Sequence, residues 1–289
     1  GQAELLECAR VPPCLARMQR LSPPLKRLVR LLVLAFPTGR RAKRRQELRA
    51  YREVGALLKN RNADLLFPCP DSMGPNFPLA WLPWAWDFQH KYYPEFFSRG
   101  QRLERDEVFR RMGSEGALVV VSSEAARRDF DRFFPGHGEK LRVLPFRIAP
   151  APDWYGADVA EVPAKYGLPS RYVLIPNQFW VHKNHEAVFK ALAILASRGV
   201  ALDAVCTGHT EDPRHPEHFA RLMEFLRGRG LAERVRVLGL IGRFEQIQLT
   251  RAALAVIQPS LFEGWSTVVE EARALGKTVF LSDLPVHRE

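Results

Sequence analysis

From residue 171 to 283 the chain alternates short β-branched runs with stretches of helical spacing, and few folds accept that pattern. "RYVLIPNQF" (171–179), "ALDAVCTG" (201–208), "RVRVLGLI" (234–241), "LAVIQPS" (254–260) and "TVFLSD" (278–283) read as strands. Between them, "NHEAVFKALAILASRG", "PEHFARLMEFLRGRG", "RFEQIQLTRAA" and "STVVEEARALGK" place apolar residues three and four apart, as a helix lying on a sheet does. Strands separated by helices of this length pair in parallel, with helices covering both faces. The second half is therefore expected to be a five-stranded Rossmann-like unit.

The first half is also α/β but less regular. "ADLLFPCP", "PLAWLPWAW", "GALVVVSS" and "KLRVLPF" read as strands, and "SEAARRDFDRFF" as a helix after the third. The stretch "APAPDWYGADVAEVP" (149–163) is rich in Pro, Ala and Asp and is the expected linker. At 289 residues the chain suits two domains, taken as 1–150 and 151–289. It starts at Gly1 and stops just after a strand, so it reads as a fragment or trimmed chain with either lobe incomplete.

With 46% hydrophobic and 26% charged residues the composition is that of a globular protein. The four cysteines form no CxxC pair, so no zinc spacing or disulfide framework is visible and a reducing cytosol is the simplest setting. The best apolar run, "LVRLLVLAF" (28–36), is too short to span a membrane and carries Arg30. The net charge of +11 is uneven: from Lys26 to Arg52 ten Lys/Arg meet one acid, Glu47. Such a patch attracts an anionic membrane or substrate, or is a solvated helix face. Nucleic acid is not expected, because no zinc-finger, helix-turn-helix or RNP-like pattern accompanies it.

The chemistry concentrates in "QPSLFEGWSTVVEEARALGK" (258–277). A strand ends, Gly264 lets the backbone turn, and Ser266 and Thr267 start a helix whose unpaired N–H groups favour a phosphate. Glu263 precedes that helix and Glu271 lies inside it; carboxylates accept from the hydroxyl pairs of sugars. Alternatively, these early acids merely complement the helix dipole. In the first half, Asp87, Gln89 and His90 follow an apolar run, where a carboxylate and an imidazole could orient or deprotonate a hydroxyl. "DFD" (129–131) lies in a helical pattern that turns its two acids about 200° apart, so no catalytic metal is expected. The histidine-rich stretches "HKNH" and "HTEDPRHPEH" read as polar loops rather than metal sites.

These residues resemble family-4 glycosyltransferases (group 1), enzymes of the two-lobed GT-B fold. Glu263-x7-Glu271 within "PSLFEGWSTVVEEARALGKTVFLSD" carries the resemblance. "PNQFWVHKNHEAVFKALAIL", "VCTGHTEDPRHPEHFARL" and "VRVLGLI" extend it, as do "WDFQHKYYPEFFS" and "VVVSSEAARRDFDRFFPGHGEKLRVLPF" in the first lobe. It implies two Rossmann-like lobes with parallel sheets facing a cleft. It also implies Glu263 on the donor sugar, Glu271 on the ribose, Ser266 and Thr267 at the diphosphate, and Lys183 as the phosphate-binding lysine. Where the family often has Gly-Arg this chain has Asn177-Gln178, and Trp86 replaces a histidine common before the aspartate.

The function implied is transfer of a sugar from a nucleotide-diphosphate donor to a glycan or lipid-linked acceptor, without a metal or other cofactor and with retention. Cell-envelope polysaccharide synthesis is the setting expected, in the cytoplasm and peripheral to an anionic membrane. The competing readings are a nucleotide-sugar epimerase or hydrolase of the same fold, and a non-catalytic lobe that docks to a membrane or nucleic acid.

Overall fold

The computed structural model describes residues 40–289, which form two compact units dividing between Phe146 and Arg147. The apolar run at 28–36 and the cations Lys26, Arg27 and Arg30 lie outside the described residues. Among the described residues no helix is long and apolar enough to cross a membrane.

The first unit runs α1 (Arg40–Lys59), β1 (Leu65–Cys69), β2 (Ala80–Ala85), α2 (Gln89–Tyr92), α3 (Arg99–Glu115), β3 (Val119–Val121), α4 (Glu124–Phe133) and β4 (Leu141–Val143). All four expected strands form, and they pair in parallel in the order β1-β2-β3-β4. Helix α3 starts at a full capping box, in which Ser98 accepts from the Gln101 N–H and the Gln101 side chain accepts from the Ser98 N–H. An aromatic core of Phe88, Phe109 and Phe130 fastens α2, α3 and α4 together, with ring centroids 5.0–6.5 Å apart. The "DFD" stretch lies on α4, where Asp129 accepts from the Tyr92 hydroxyl at 2.5 Å. Part of the basic stretch turns inward: Arg44 donates to Asp71 and to the Ser72 carbonyl.

The second unit continues with α5 (Glu161–Lys165), β5 (Tyr172–Ile175), α6 (His185–Ser197), β6 (Asp203–Cys206), α7 (His218–Gly228), β7 (Val235–Val237), α8 (Arg243–Ala252), β8 (Ala255–Gln258), α9 (Thr267–Ala274) and β9 (Val279–Leu281). Its sheet is fully parallel in the order β7-β6-β5-β8-β9. Strand β5 is buried along its whole length because helices cover both faces. Val173 and Ile175 point into one core with Val188, Phe189, Leu222 and Leu226 of α6 and α7. Tyr172 and Leu174 point into the other, with Leu249 of α8 and Val162 of α5.

The stretch 149–163, expected as a linker, is bound to this second unit. The Trp154 carbonyl accepts from Gln248 at 3.0 Å and Arg251 at 2.9 Å, and Val162 is buried against α8. Proline and alanine made the segment look loose, but its carbonyls meet donors that lie about ninety residues further on.

The strand order decides where a ligand fits. From β5 the chain builds outward through β6 to β7, then returns to place β8 on the opposite side of β5. The loops after β5 and β8 lie at this reversal, and a crevice at the strands' carboxyl ends there is the usual ligand site of such sheets.

Candidate functional site

Both loops at this crevice are tied by one polar network. Gln258, the last residue of β8 and fully buried, accepts from Asn177 Nδ2 at 2.8 Å across from the β5 loop. Its own amide nitrogen donates to Glu263 Oε1 at 2.7 Å and to Ser260 Oγ at 3.2 Å. Lys183 Nζ reaches the same Glu263 Oε1 at 2.5 Å. Asn184, in the left-handed region at φ 56°, donates from its side chain to the Pro259 carbonyl, and the Leu261 N–H donates to the His182 carbonyl. Four of these polar contacts run between the two loops, which no strand pairing fixes.

The next helix adds a second cluster. Ser266 caps α9, its Oγ accepting from the Val269 N–H, with Thr267 as the first helical residue. Among the acids of α9, Glu271 accepts from Arg243 at the start of α8, and Glu270 from Arg147 and Arg273. Arg243 lies over the Trp154 ring and Arg147 over the Trp265 ring, each 5.3 Å from the centroid. A cavity of about 250 Å³ opens beside Trp265, Ser266 and Glu270. Gly264 sits in the loop between Glu263 and this cap.

Asn177 and Gln178 stand where the resemblance expects a cation. Here the approach is backbone on backbone: Gly208, at φ 114°, lies so close that a Cβ there would meet the Asn177 carbonyl oxygen at 2.7 Å and the Gln178 nitrogen at 2.8 Å. His182 and His185 do not replace the missing charge. Burial pushes both imidazoles down to about 3, so both are neutral. Cations brought to this part of the unit include Lys183, held by Glu263, Arg243, held by Glu271, and Arg147, held by Glu270.

The structure joins Lys183 directly to Glu263 and links Asn177 to Glu263 through Gln258, the hub that sequence reasoning missed. A lone glutamine ending an apolar strand was its only signal. Arg243 was missed as well; it opens a helix after glycine, and its partner is 28 residues away.

In the first unit Asp87 and His90 share Arg105, which donates to Asp87 Oδ1 at 2.6 Å and to His90 Nδ1 at 3.2 Å. With Nδ1 accepting, His90 is neutral and its Nε2–H donates to Asp106 at 2.8 Å. Burial lowers its proton affinity further. Both nitrogens are therefore engaged, and the ring is 2% exposed between Phe97 and Phe109. Gln89 is buried next to it, its backbone N–H donating to Asp87.

Residues 160–289 match the family described as glycosyl transferases group 1. This segment is similar to the group 1 glycosyltransferase domain. The chain is 30% identical over 185 residues to EpsF of Bacillus subtilis (strain 168), which carries a glycosyltransferase name; the match covers 61% of this chain and 45% of EpsF. The chain thus spans less than half the length of that relative. The structure of Anabaena HepE in complex with UDP and glucose matches at a TM-score of 0.60 and 19% identity, over 73% of this chain and 55% of HepE. A glycosyltransferase from Rickettsia africae ESF-5 matches at 0.63 and 17%, over 88% and 65%. Both units have the α/β architecture, with parallel sheets, of GT-B glycosyltransferases.

Proposed function

We propose that this chain moves a sugar from a nucleotide-diphosphate donor to a glycan or lipid-linked acceptor. The observation that carries this reading is the network of Asn177, Lys183, Gln258 and Glu263 at the point where the sheet reverses. A cation and a carboxylate are held there on a rigid hub, immediately before a capped helix N-terminus. HepE, of the same fold, holds UDP and glucose.

In this reading the donor's C1–O bond breaks with its electron pair going to the diphosphate, the acceptor hydroxyl oxygen bonds to C1 with retention, and the hydroxyl proton passes to the departing diphosphate. Negative charge grows on the leaving group. Lys183 and the N–H groups behind Ser266 and Thr267 stabilise it more in the transition state than before it, so no metal is required. Glu263 accepts from hydroxyls of the transferred sugar and Glu271 from the ribose. Asp87, oriented by Arg105, is the acceptor-side carboxylate. The basic stretch 26–52 supports work in the cytosol, at a membrane carrying anionic lipid, within envelope polysaccharide synthesis.

Calorimetric titration with UDP tests the donor site. Lys183→Ala should weaken UDP binding by about 1.5–3 kcal/mol, as for a lost charge-assisted contact. Unchanged affinity in both Lys183→Ala and Glu271→Gln would move the pocket elsewhere. Release of UDP from UDP-sugars at full rate without acceptor would replace transfer by hydrolysis.

A further inference from the structure

A cavity of about 410 Å³ lies in the first unit, among described residues that the donor chemistry does not use. It is lined by His90, Lys91, Pro94, Arg99, Arg102, Leu103 and Asp106. Arg99, Arg102, Leu103 and Asp106 follow the spacing of one face of α3, the helix that Ser98 caps.

Its electrostatics are one-sided. Three cations, Lys91, Arg99 and Arg102, meet a single carboxylate, and that carboxylate is already taken. Asp106 accepts from Lys91 Nζ at 2.7 Å and from the neutral His90 at 2.8 Å, and these contacts hold its carboxyl below the usual carboxylate range. Other arginines of α3 have found acids: Arg105 binds Asp87, and Arg111 binds Asp71. Arg102 differs, because its Nε is buried without a hydrogen-bond partner among the described residues. A buried guanidinium N–H left unpaired is costly, and the group that satisfies it best is an anion with several acceptor oxygens. Leu103, 45% exposed, gives the rim an apolar edge for the body of such a ligand.

We propose that this cavity is an anion subsite, built by Arg99, Arg102 and Lys91, that binds the phosphate group of a phosphorylated ligand. His90 and Asp106 position Lys91 at its wall. The proposal does not depend on the donor site, which the UDP titration tests by itself.

The test follows the Arg102 Nε–H resonance in full-length protein carrying isotope-labelled arginine, assigned by its loss in Arg102→Gln. Inorganic phosphate, glycerol 3-phosphate and phosphatidic-acid vesicles are each titrated. Two variants are compared with the parent: Arg99→Gln, which removes a cation, and Leu103→Glu, which adds a carboxylate at an exposed position where folding is not at risk. Saturation by the two soluble phosphates, weakened about tenfold or more in both variants with UDP affinity retained, is the result expected for a soluble ligand. Saturation by vesicles alone, weakened in the same way, assigns the phosphate to a lipid. No saturable shift with any probe, or equal affinities in parent and both variants, overturns the proposal.

Discussion

Lys183 and Glu263 show why one residue's partner matters as much as its type. At 2.5 Å they neutralise each other, so a diphosphate that recruits Lys183 must share it with Glu263. Glu263→Gln keeps the side chain's shape and an acceptor for Gln258 while removing the competing charge. UDP affinity should stay level or rise a few-fold, while turnover of the intact UDP-sugar falls. Glu271→Gln should instead weaken UDP and UDP-sugar alike. Equal losses of UDP affinity in the two variants, measured by calorimetry, would show that the acids act only as dipole partners. Both acids were legible in the sequence because a turn and a helix start bracket them at fixed spacing. Gln258 and Arg243 were not, since their roles exist only once β5 lies beside β8 and α8 beside α9. The buried histidines make a separate prediction. His90, His182, His185 and His218 are all harder to protonate in the fold than in the unfolded chain, through burial in each case. A lowered histidine pKa contributes stability that is fully present above the unfolded value of about 6.5 and is lost as pH falls towards the folded value. For His182 and His185, with folded values of about 3, the loss is about 1.4 kcal/mol per pH unit for each below pH 6. Urea midpoints should therefore drop between pH 7 and pH 5, a window above the acid titration of most carboxylates; a flat profile there would contradict the burial of these rings.

Among elements, strands were the more legible. Both sheets draw on β-branched and aromatic runs that sequence shows directly, and in each half all the expected strands form. Helix α3 was missed because its apolar residues are few among arginines and glutamates, so periodicity barely marks it. Its place is set by Ser98 at one end and by the Phe109 contact with Phe88 and Phe130 in the middle. The loop after β6 carries the sharpest backbone demand. Gly208 combines φ 114° with the close approach to Asn177, and its N–H donates to the Gly239 carbonyl at 2.7 Å. Gly208→Ala must both strain its own backbone and push the Asn177 peptide away. Since Asn177 anchors Gln258, which in turn holds Glu263, the damage should travel to the crevice. We expect a loss of about 1–3 kcal/mol in chemical denaturation together with weaker UDP binding. Wild-type UDP affinity in Gly208→Ala would show that the loop after β6 does not support the site.

For the whole molecule, the alternation of strands and helices announced parallel sheets, but not their strand order. Placing β8 beside β5, on the side away from β6, costs nothing that local sequence records; it follows from which apolar faces must be covered together. The two units bury separate cores, one around Phe88, Phe109 and Phe130, the other on the two faces of β5. A ligand bound by the second unit alone should therefore protect that unit alone. UDP at a hundred times its dissociation constant would stabilise its unit by about 2.7 kcal/mol. For a unit of this size that corresponds to a shift on the order of 10 °C. Scanning calorimetry should show two transitions, of which UDP raises one, and Lys183→Ala should abolish that rise without moving the other. A single transition that UDP moves as a whole would mean the units unfold together, and an equal shift of both would mean the nucleotide is held by both.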